Sequence, residues 1–286
     1  FPDQQQQRAE QCRPEHAMDD DFYRGHALQC FEVEREQAPD DVGAEAQYVT
    51  ADDAAARDGA GAAAGARRYP CRMTTLLDGA RGLGIELDAT QCAKLLQHLD
   101  LLDDWNTRMN LTAIRERPAQ ITKHLLDSLT LVPWLRGRRV ADIGSGAGFP
   151  GIPLAIVVPG VHFVLVESIG KKCRFLEHVR DTLALTNVEV AQARAEAYQP
   201  PVRFDTVIAR AVGQLADLVK NAGGLVAGGG RLLAMKGRYP TDELAKGFSG
   251  WKVVAVHKLH VPGLDEERHL VELAHSHEKV PLPRPL

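Results

Sequence analysis

A run of glycines just after Asp142 has the composition of a loop that binds a nucleotide-like ligand. Gly144, Gly146, Gly148 and Gly151 follow a short apolar segment and open an apolar helical one. Glycines at such a turn let the backbone bend sharply and approach a ligand closely. Asp142 precedes the first glycine by two residues, where its carboxylate can order the loop or reach the amino-acid part of a cofactor.

The glycine spacing and a second acidic residue narrow the choice of ligand. The pattern is G-x-G-x-G, whereas dinucleotide sites use G-x-G-x-x-G to cradle a pyrophosphate, which S-adenosylmethionine lacks. Glu167 ends the next apolar segment, about 20 residues on, where a carboxylate can accept both ribose hydroxyls. Phe149 follows the glycines and is placed to lie against a cofactor. We therefore predict an S-adenosylmethionine site at Gly144, Phe149 and Glu167; a dinucleotide site, or a glycine-rich connection beside a surface acid, is the alternative.

The elements that must position these residues alternate between short apolar segments and helices. The predicted strands are 139–143, 162–167, 188–191, 204–209, 230–235, 251–259 and 269–274. Such alternation predicts a parallel sheet with right-handed crossovers. The last two strands leave no room for a long helix, so they form an antiparallel hairpin at one edge. The fold class is α/β: a Rossmann-like class I methyltransferase with a doubly wound, mostly parallel seven-stranded sheet and N-terminal helices.

The first 72 residues differ in composition from the rest of the chain. They carry 15 acidic residues, eight arginines and no lysine, a net charge of −7, and few large apolar residues. Such a segment cannot bury enough surface to offset its ordering entropy. We predict that residues 1–72 are disordered or a non-native extension, and that 73–286 form the methyltransferase domain.

Within that domain, residues 73–135 are predicted to be helical and 136–277 to form the sheet core. Asp88 is a suitable N-cap for a helix over 89–109, and a second helical region spans 118–134.

The bulk properties exclude several classes of protein. The five cysteines form no C-x-x-C pair, which argues against a disulfide framework or a metal site. No apolar run reaches the roughly 20 residues of a membrane helix, and the N-terminus lacks the pattern of a signal peptide. We expect a cytoplasmic monomer with no membrane partner. Residues 73–286 have a net charge of +3, which is compatible with a nucleic-acid partner.

Seven short motifs, in order along the chain, resemble the RsmG (GidB) family. They are Asn110-Leu-Thr, His124-Leu-Leu-Asp-Ser, residues 142–153, Gly170-Lys-Lys-Cys-Arg-Phe-Leu, Ile208-Ala-Arg-Ala, Met235-Lys-Gly and Glu267-Arg-His-Leu. The resemblance covers residues 74–274 and leaves 1–72 without a counterpart. Phe149 stands where other members have leucine.

The resemblance implies S-adenosylmethionine-dependent methylation of N7 of a specific guanine in 16S rRNA, with the rRNA or the small ribosomal subunit as partner. It also implies cofactor contacts at Gly144, Phe149, Ala195, Glu196 and Arg210. A solvated acid at the start of a helix is the alternative for Glu196. Other functions left open are methyl transfer to a protein or metabolite, and a nucleotide-binding module without methyl transfer.

Cationic side chains are the remaining candidates for a role in methyl transfer or RNA binding. Guanine N7 has a lone pair and no proton, so its methylation needs no general base, and catalysis rests on alignment. Arg210 and Lys236 each follow a predicted strand and are assigned a positioning role; surface ion pairing is the alternative for both. His124 and Asp127 share a helix face, either for packing or at the site. A possible RNA footprint comprises Arg115, Arg117, Arg136, Arg138, Arg139, Lys171, Lys172 and Arg174.

Overall fold

The computed structural model describes residues 69–211 and 213–277, all in one compact unit. The predicted extension lies outside the described residues except for its last four, which begin the first helix. The boundary drawn at residue 73 therefore falls inside a helix.

A seven-stranded sheet forms the centre of the molecule. Its strands are β1 Arg139–Ile143, β2 His162–Glu167, β3 Val188–Gln192, β4 Phe204–Arg210, β5 Val226–Lys236, β6 Trp251–Leu259 and β7 Arg268–His275. The order across the sheet is β3-β2-β1-β4-β5-β7-β6. Strands β1 to β5 pair in parallel, and β7 lies antiparallel between β5 and β6. The predicted mostly parallel sheet with a closing antiparallel hairpin is confirmed.

The helices flank this sheet and precede it. They are α1 Tyr69–Gly82, α2 Ala89–Asn106, α3 Arg117–Gln120, α4 Asp127–Leu129, α5 Gly151–Val157, α6 Gly170–Thr182, α7 Leu215–Ala222 and α8 Thr241–Leu244. The predicted N-cap of α2 is confirmed: Asp88 accepts a hydrogen bond from the Gln91 N–H at 2.7 Å, and the Gln91 side chain accepts the Asp88 N–H at 3.1 Å.

The second helical region differs from the single helix predicted for 118–134. A π-helical segment, Ile121–Leu126, joins α3 to α4, and a separate 3-10 turn, Val132–Trp134, follows. The π segment buries both the aliphatic Ile121 and the imidazole of His124. Pro133 suits the first positions of the short turn, where a missing N–H costs little. Sequence periodicity detects this apolar face but not the widened turn.

The strand most different from prediction is β5, which begins four residues early. The predicted strand starts at Gly230, whereas the observed strand also contains Gly228 and Gly229, although glycine weakens a strand interior. In the structure the Gly230 Cα packs against Asp205 of β4, with space for a hydrogen only: a Cβ there would stand 2.8 Å from the Asp205 carbonyl oxygen. Close approach of the two strands explains the glycine.

Candidate active site

The predicted site residues gather at one edge of the sheet. The glycine loop follows β1, Glu167 ends β2, Arg210 ends β4 and Lys236 ends β5. Arg268 begins the antiparallel β7, whose next residue His269 pairs with Lys236 in the sheet register. Ligands of open α/β sheets bind at this carboxyl edge, where the strand order reverses; here the reversal lies between β1 and β4.

The glycine loop has an open part and a packed part. Gly144 and Gly146 adopt φ values of 68° and 58°, and a Cβ on Gly146 would meet only the Gly144 carbonyl at 3.7 Å. In contrast, a Cβ on Gly148 would lie 2.7 Å from Ile152, and one on Gly151 2.4 Å from Leu165. The first two glycines therefore present backbone to the exterior, and the last two allow α5 to pack on the sheet.

Two buried carboxylates hold this loop. The Asp142 Oδ2 accepts the Gly151 N–H at 3.0 Å, while its Oδ1 is buried without a hydrogen-bond partner. Burial raises the pKa of Asp142 to about 7, opposed by the Gly151 N–H and the charge of Arg210. Glu167 accepts the Gly146 N–H at 3.0 Å and the Ile169 N–H at 2.9 Å. Glu167 thus ties the loop after β1 to the loop after β2. A carboxylate offers about four acceptor sites, so two remain for a ligand.

The ring of Phe149 is not exposed in the way the sequence suggested. Only 4% of the residue is accessible, and the ring lies between two imidazoles, His98 at 4.6 Å and His124 at 4.5 Å between centroids. The Arg210 guanidinium carbon lies 5.3 Å from the same ring. The faces of the Phe149 ring are therefore covered by protein, and the contact of this residue with a cofactor stays a prediction.

The two imidazoles beside Phe149 are held neutral by burial. His98 bonds to the Ala147 carbonyl at 3.0 Å through Nε2, and His124 to the Thr112 hydroxyl at 2.9 Å. Burial lowers the pKa of His98 to about 4 and that of His124 to about 3, the latter also through the charge of Arg210. The stack joins α2 and the π segment to the packed part of the glycine loop.

Arg210 is tied down by a carboxylate from the π segment's C-terminal end. Its Nη1 donates to Asp127 Oδ2 at 3.2 Å and to the Lys123 carbonyl at 3.0 Å. The other Asp127 oxygen accepts Arg268 Nε, also at 3.2 Å. Burial raises the pKa of Asp127, although both arginines act in the opposite direction. Asp127 therefore brings two cations from different strands to one place.

A cavity of about 750 Å³ opens beside this cluster. Its lining includes Lys123, His124, Asp127, Arg210, Lys236 and Arg268. Ala211, which also lines it, has a φ of 56°, a conformation that non-glycine residues rarely adopt. Such local strain concentrates at functional sites.

Lys236 reaches the cavity but is also paired. Its Nζ donates to both oxygens of Glu243, at 2.9 and 3.0 Å, and to the Gly213 carbonyl at 2.8 Å. The surface-ion-pair alternative thus describes its present contacts, although only 15% of the side chain is exposed.

Ala195 and Glu196 lie apart from this cavity. They form a 3-10 turn, Ala195–Ala197, after β3, and line a smaller cavity of about 350 Å³ with Tyr198, Arg203 and Lys220. Glu196 is exposed. The structure brings Gly144, Glu167, Arg210 and Lys236 to one edge and leaves this pair at its flank.

The proposed RNA footprint divides between the two edges of the sheet. Arg136, Arg138 and Arg139 precede or begin β1, so they lie at the amino edge, away from the site. Arg136 pairs with Glu272. Lys171, near the start of α6, lies at the edge that carries the glycine loop. The arginines around β1 are absent from the lining of the large cavity, and the RNA footprint stays a prediction.

Sequence reasoning missed the residues that orient the site. These are His98 and Glu243; Arg268 belongs to the Glu267-Arg-His-Leu motif, but its contact with Asp127 was not predicted. Two of these contacts join distant parts of the chain: 49 residues separate His98 from Ala147, and 141 separate Arg268 from Asp127. Glu243 lies seven residues from its partner Lys236. A histidine on the apolar face of α2 was the available signal for His98.

The residues that the structure describes contain neither a membrane-spanning helix nor a metal site. None of the helices in residues 69–211 and 213–277 is long and apolar enough to cross a membrane. The same residues contain no cluster of three or more His, Cys, Asp or Glu side chains arranged to hold a metal ion.

Comparison with known proteins decides the family. A model of the GidB family, described as rRNA small subunit methyltransferase G, matches residues 91–271. The chain belongs to this family. It is 42% identical over 201 residues to ribosomal RNA small subunit methyltransferase G of Hahella chejuensis, covering 70% of this chain and 93% of that protein. The same-named protein of Marinobacter nauticus is 46% identical over 208 residues, with coverages of 73% and 97%.

Among solved structures, similarity is limited to part of the chain. The glycopeptide N-methyltransferase MtfA complexed with S-adenosyl-L-methionine aligns with a TM-score of 0.46 and 12% identity, over 53% of this chain and 87% of that one.

Proposed function

We propose that this GidB-family protein transfers a methyl group from S-adenosylmethionine to N7 of a guanine in 16S rRNA. Family membership supports the reaction class. The observation that carries the proposed site is the shared sheet edge. The glycine loop tied to Glu167 and a cavity lined by four cationic side chains both lie at the carboxyl ends of the parallel strands.

The residues present fit the cofactor. Gly144 and Gly146 offer backbone in the left-handed conformation; Gly144 is exposed, and a Cβ on Gly146 would meet only the Gly144 carbonyl, as a closely approaching ligand requires. Glu167 retains acceptor capacity for ribose hydroxyls, and the buried Asp142 Oδ1 still lacks a donor. Arg210 would border the cofactor, and Ala195 and Glu196 its adenine. With the Phe149 ring enclosed, any contact of that residue with the cofactor would be through its backbone. When bound, S-adenosylmethionine supplies a methyl group on a positively charged sulfur.

The protein's own part is to hold the guanine in line and exclude water. Guanine N7 carries no proton, so no side chain has to remove one. Arg210 and Lys236 are positioning residues: a guanidinium or ammonium donor directed at O6 would fix the base and leave N7 accessible. Asp127 and Glu243 hold these two cations in place.

The experiment compares two glycine variants of the full chain. Methyl transfer to an unmodified 16S rRNA transcript, and to small subunits assembled from it, is followed by mass spectrometry of N7-methylguanine. Gly144→Asp adds a carboxylate where the loop is open and should abolish transfer. Gly160→Asp adds the same charge in an exposed turn at the amino edge of β2 and should leave it intact. Transfer by the native protein to small molecules or proteins but not to rRNA would refute the proposal.

The proposal extends to a cytoplasmic monomer that acts on 16S rRNA or the small ribosomal subunit. Large exposed apolar side chains in the described residues are scattered: Ile169, Val202, Tyr239 and Val253. Isolated residues of this kind do not form an association patch. Light scattering of the full chain should therefore give the monomer mass.

A further inference from the structure

Three charged side chains meet at the mouth of the large cavity. Glu266, in the loop between β6 and β7, accepts a hydrogen bond from Lys123 Nζ at 2.5 Å and from Arg268 Nη2 at 3.1 Å. Lys123 belongs to the π segment and Arg268 to the start of β7. Two cations from distant parts of the chain thus converge on one carboxylate.

Arg268 would keep its position without Glu266. Its Nε is fixed by Asp127 at 3.2 Å, and its Nη1 donates to the Glu267 carbonyl at 2.8 Å. The remaining nitrogen, Nη2, is the one that contacts Glu266. The buried Asp127 and the Glu267 carbonyl therefore orient the Arg268 guanidinium. Glu266 accepts only from Nη2, the Arg268 nitrogen that those partners leave available.

Of these three side chains, Glu266 is the one that another anion could displace most easily. Its side chain is 53% exposed, against 33% for Lys123 and 17% for Arg268. Exposed ion pairs contribute little because water and salt screen them. The two cations hold the pKa of Glu266 below its usual value, so it is an anion at neutral pH. A phosphodiester also carries one negative charge on paired oxygens, which lysine and arginine bind well.

We propose that Lys123 and Arg268 form a binding site for a backbone phosphate of the RNA substrate, which Glu266 occupies until RNA displaces it. The exchange is balanced in charge, since one carboxylate leaves as one phosphodiester enters. This inference rests on the proposed function and adds the contact that seats the RNA backbone beside the cavity.

The test uses a neighbouring carboxylate as the control. Glu266→Gln and Glu267→Gln remove the same charge from adjacent exposed residues, but Glu267 contacts Arg268 through its backbone carbonyl. Binding of the full chain to the unmodified 16S rRNA transcript is measured over a series of potassium chloride concentrations. Glu266→Gln should tighten binding about three- to tenfold, because it removes two competing ion pairs that are each worth up to about fivefold in an equilibrium constant. Glu267→Gln should change it by less than about twofold.

Lys123→Gln supplies the complementary measurement. Loss of one phosphate contact should weaken binding and reduce the slope of log affinity against log salt by about 1. Thermal unfolding of each variant verifies that it is folded. Equal effects of Glu266→Gln and Glu267→Gln, or an unchanged slope in folded Lys123→Gln, would overturn the proposal.

Two further arms separate related explanations. Inorganic phosphate, added at constant ionic strength, should compete with the RNA phosphate at this site, so it should weaken RNA binding by the native protein more than RNA binding by Lys123→Gln. Equal weakening of the two proteins would place the competition elsewhere and count against the site. If the native protein does not methylate rRNA, the proposed function fails. If the native protein does methylate rRNA, and Glu266→Gln and Glu267→Gln bind the RNA equally well, only this inference fails.

Discussion

Replacement of His98 should change how the stability of the protein depends on pH. The imidazole is fully buried against Phe149, and its pKa in the folded protein is about 4 against 6.5 in the unfolded chain. As the pH falls through 6.5, the unfolded chain binds the proton first. Stability is therefore lost from about pH 6.5 down to about pH 4 and is unaffected above that range.

The size of this effect follows from the two pKa values. Each unit of difference is worth about 1.4 kcal/mol, so His98 should lower the free energy of unfolding by about 2 kcal/mol between pH 7.5 and pH 5. His124 acts in the same direction. Asp142 acts in the opposite one, because its raised pKa lets the folded protein bind a proton first. His124 and Asp142 are both present in a His98 variant. Their contributions to the pH dependence therefore largely cancel when the variant is compared with the native protein.

Urea unfolding of the full chain at pH 7.5 and pH 5 measures this difference. His98→Phe keeps a ring on Phe149, whereas His98→Gln keeps a donor for the Ala147 carbonyl. The two variants should differ in absolute stability, yet each should lose about 2 kcal/mol less than the native protein on acidification. Curves parallel to that of the native protein would show that His98 is not a buried neutral imidazole, and the reasoning would be wrong.

Four other predictions concern parts of the same domain. Gly148→Ala should cost about 1–3 kcal/mol of stability, because φ is 85° and Ile152 blocks a Cβ, whereas Gly160→Ala should stay within about 0.5 kcal/mol by urea unfolding. Asp127→Asn should cost about 3 kcal/mol, since two arginines lose a buried carboxylate, and should raise the KM for rRNA. Burial raises the pKa of the Cys92 thiol, so iodoacetamide should label it only on unfolding, as mass mapping would show. The extension was predicted as residues 1–72; because the first helix begins at Tyr69, we propose that residues 1–68 are dispensable. Their removal should leave turnover unchanged, and a large loss would contradict this.

The sheet could be predicted because its strands carry a simple signal. Strands buried on both faces appear as continuous apolar runs, and the ends of β1, β2 and β6 match the sequence prediction. The glycine loop was equally predictable from the sequence, since few residues other than glycine tolerate its backbone angles. Both signals are local, so no knowledge of distant contacts was required.

The state of the site residues depends on contacts that no local pattern encodes. Arg210 and Lys236 were correctly placed at the sheet edge, but their partners Asp127 and Glu243 come from other elements. Phe149 looked available because it follows the glycines. Its burial results from two histidines, His98 on α2 and His124 on the π segment. The sequence marked His124 as a candidate but gave no sign that either imidazole packs on Phe149.

The carboxylates at the cavity determine where an RNA phosphate can enter. Asp127 and Glu243 each neutralise a cation that the sequence marked for the substrate, but their side chains are only 4% and 22% exposed. Displacing either would leave a desolvated charge without its partner, which is costly. Glu266 is 53% exposed and returns to water at little cost. Arg210 and Lys236, which Asp127 and Glu243 hold, are therefore suited to orient a base within the cavity. Lys123 and the outward Nη2 of Arg268 are suited to exchange Glu266 for a phosphate of the RNA backbone.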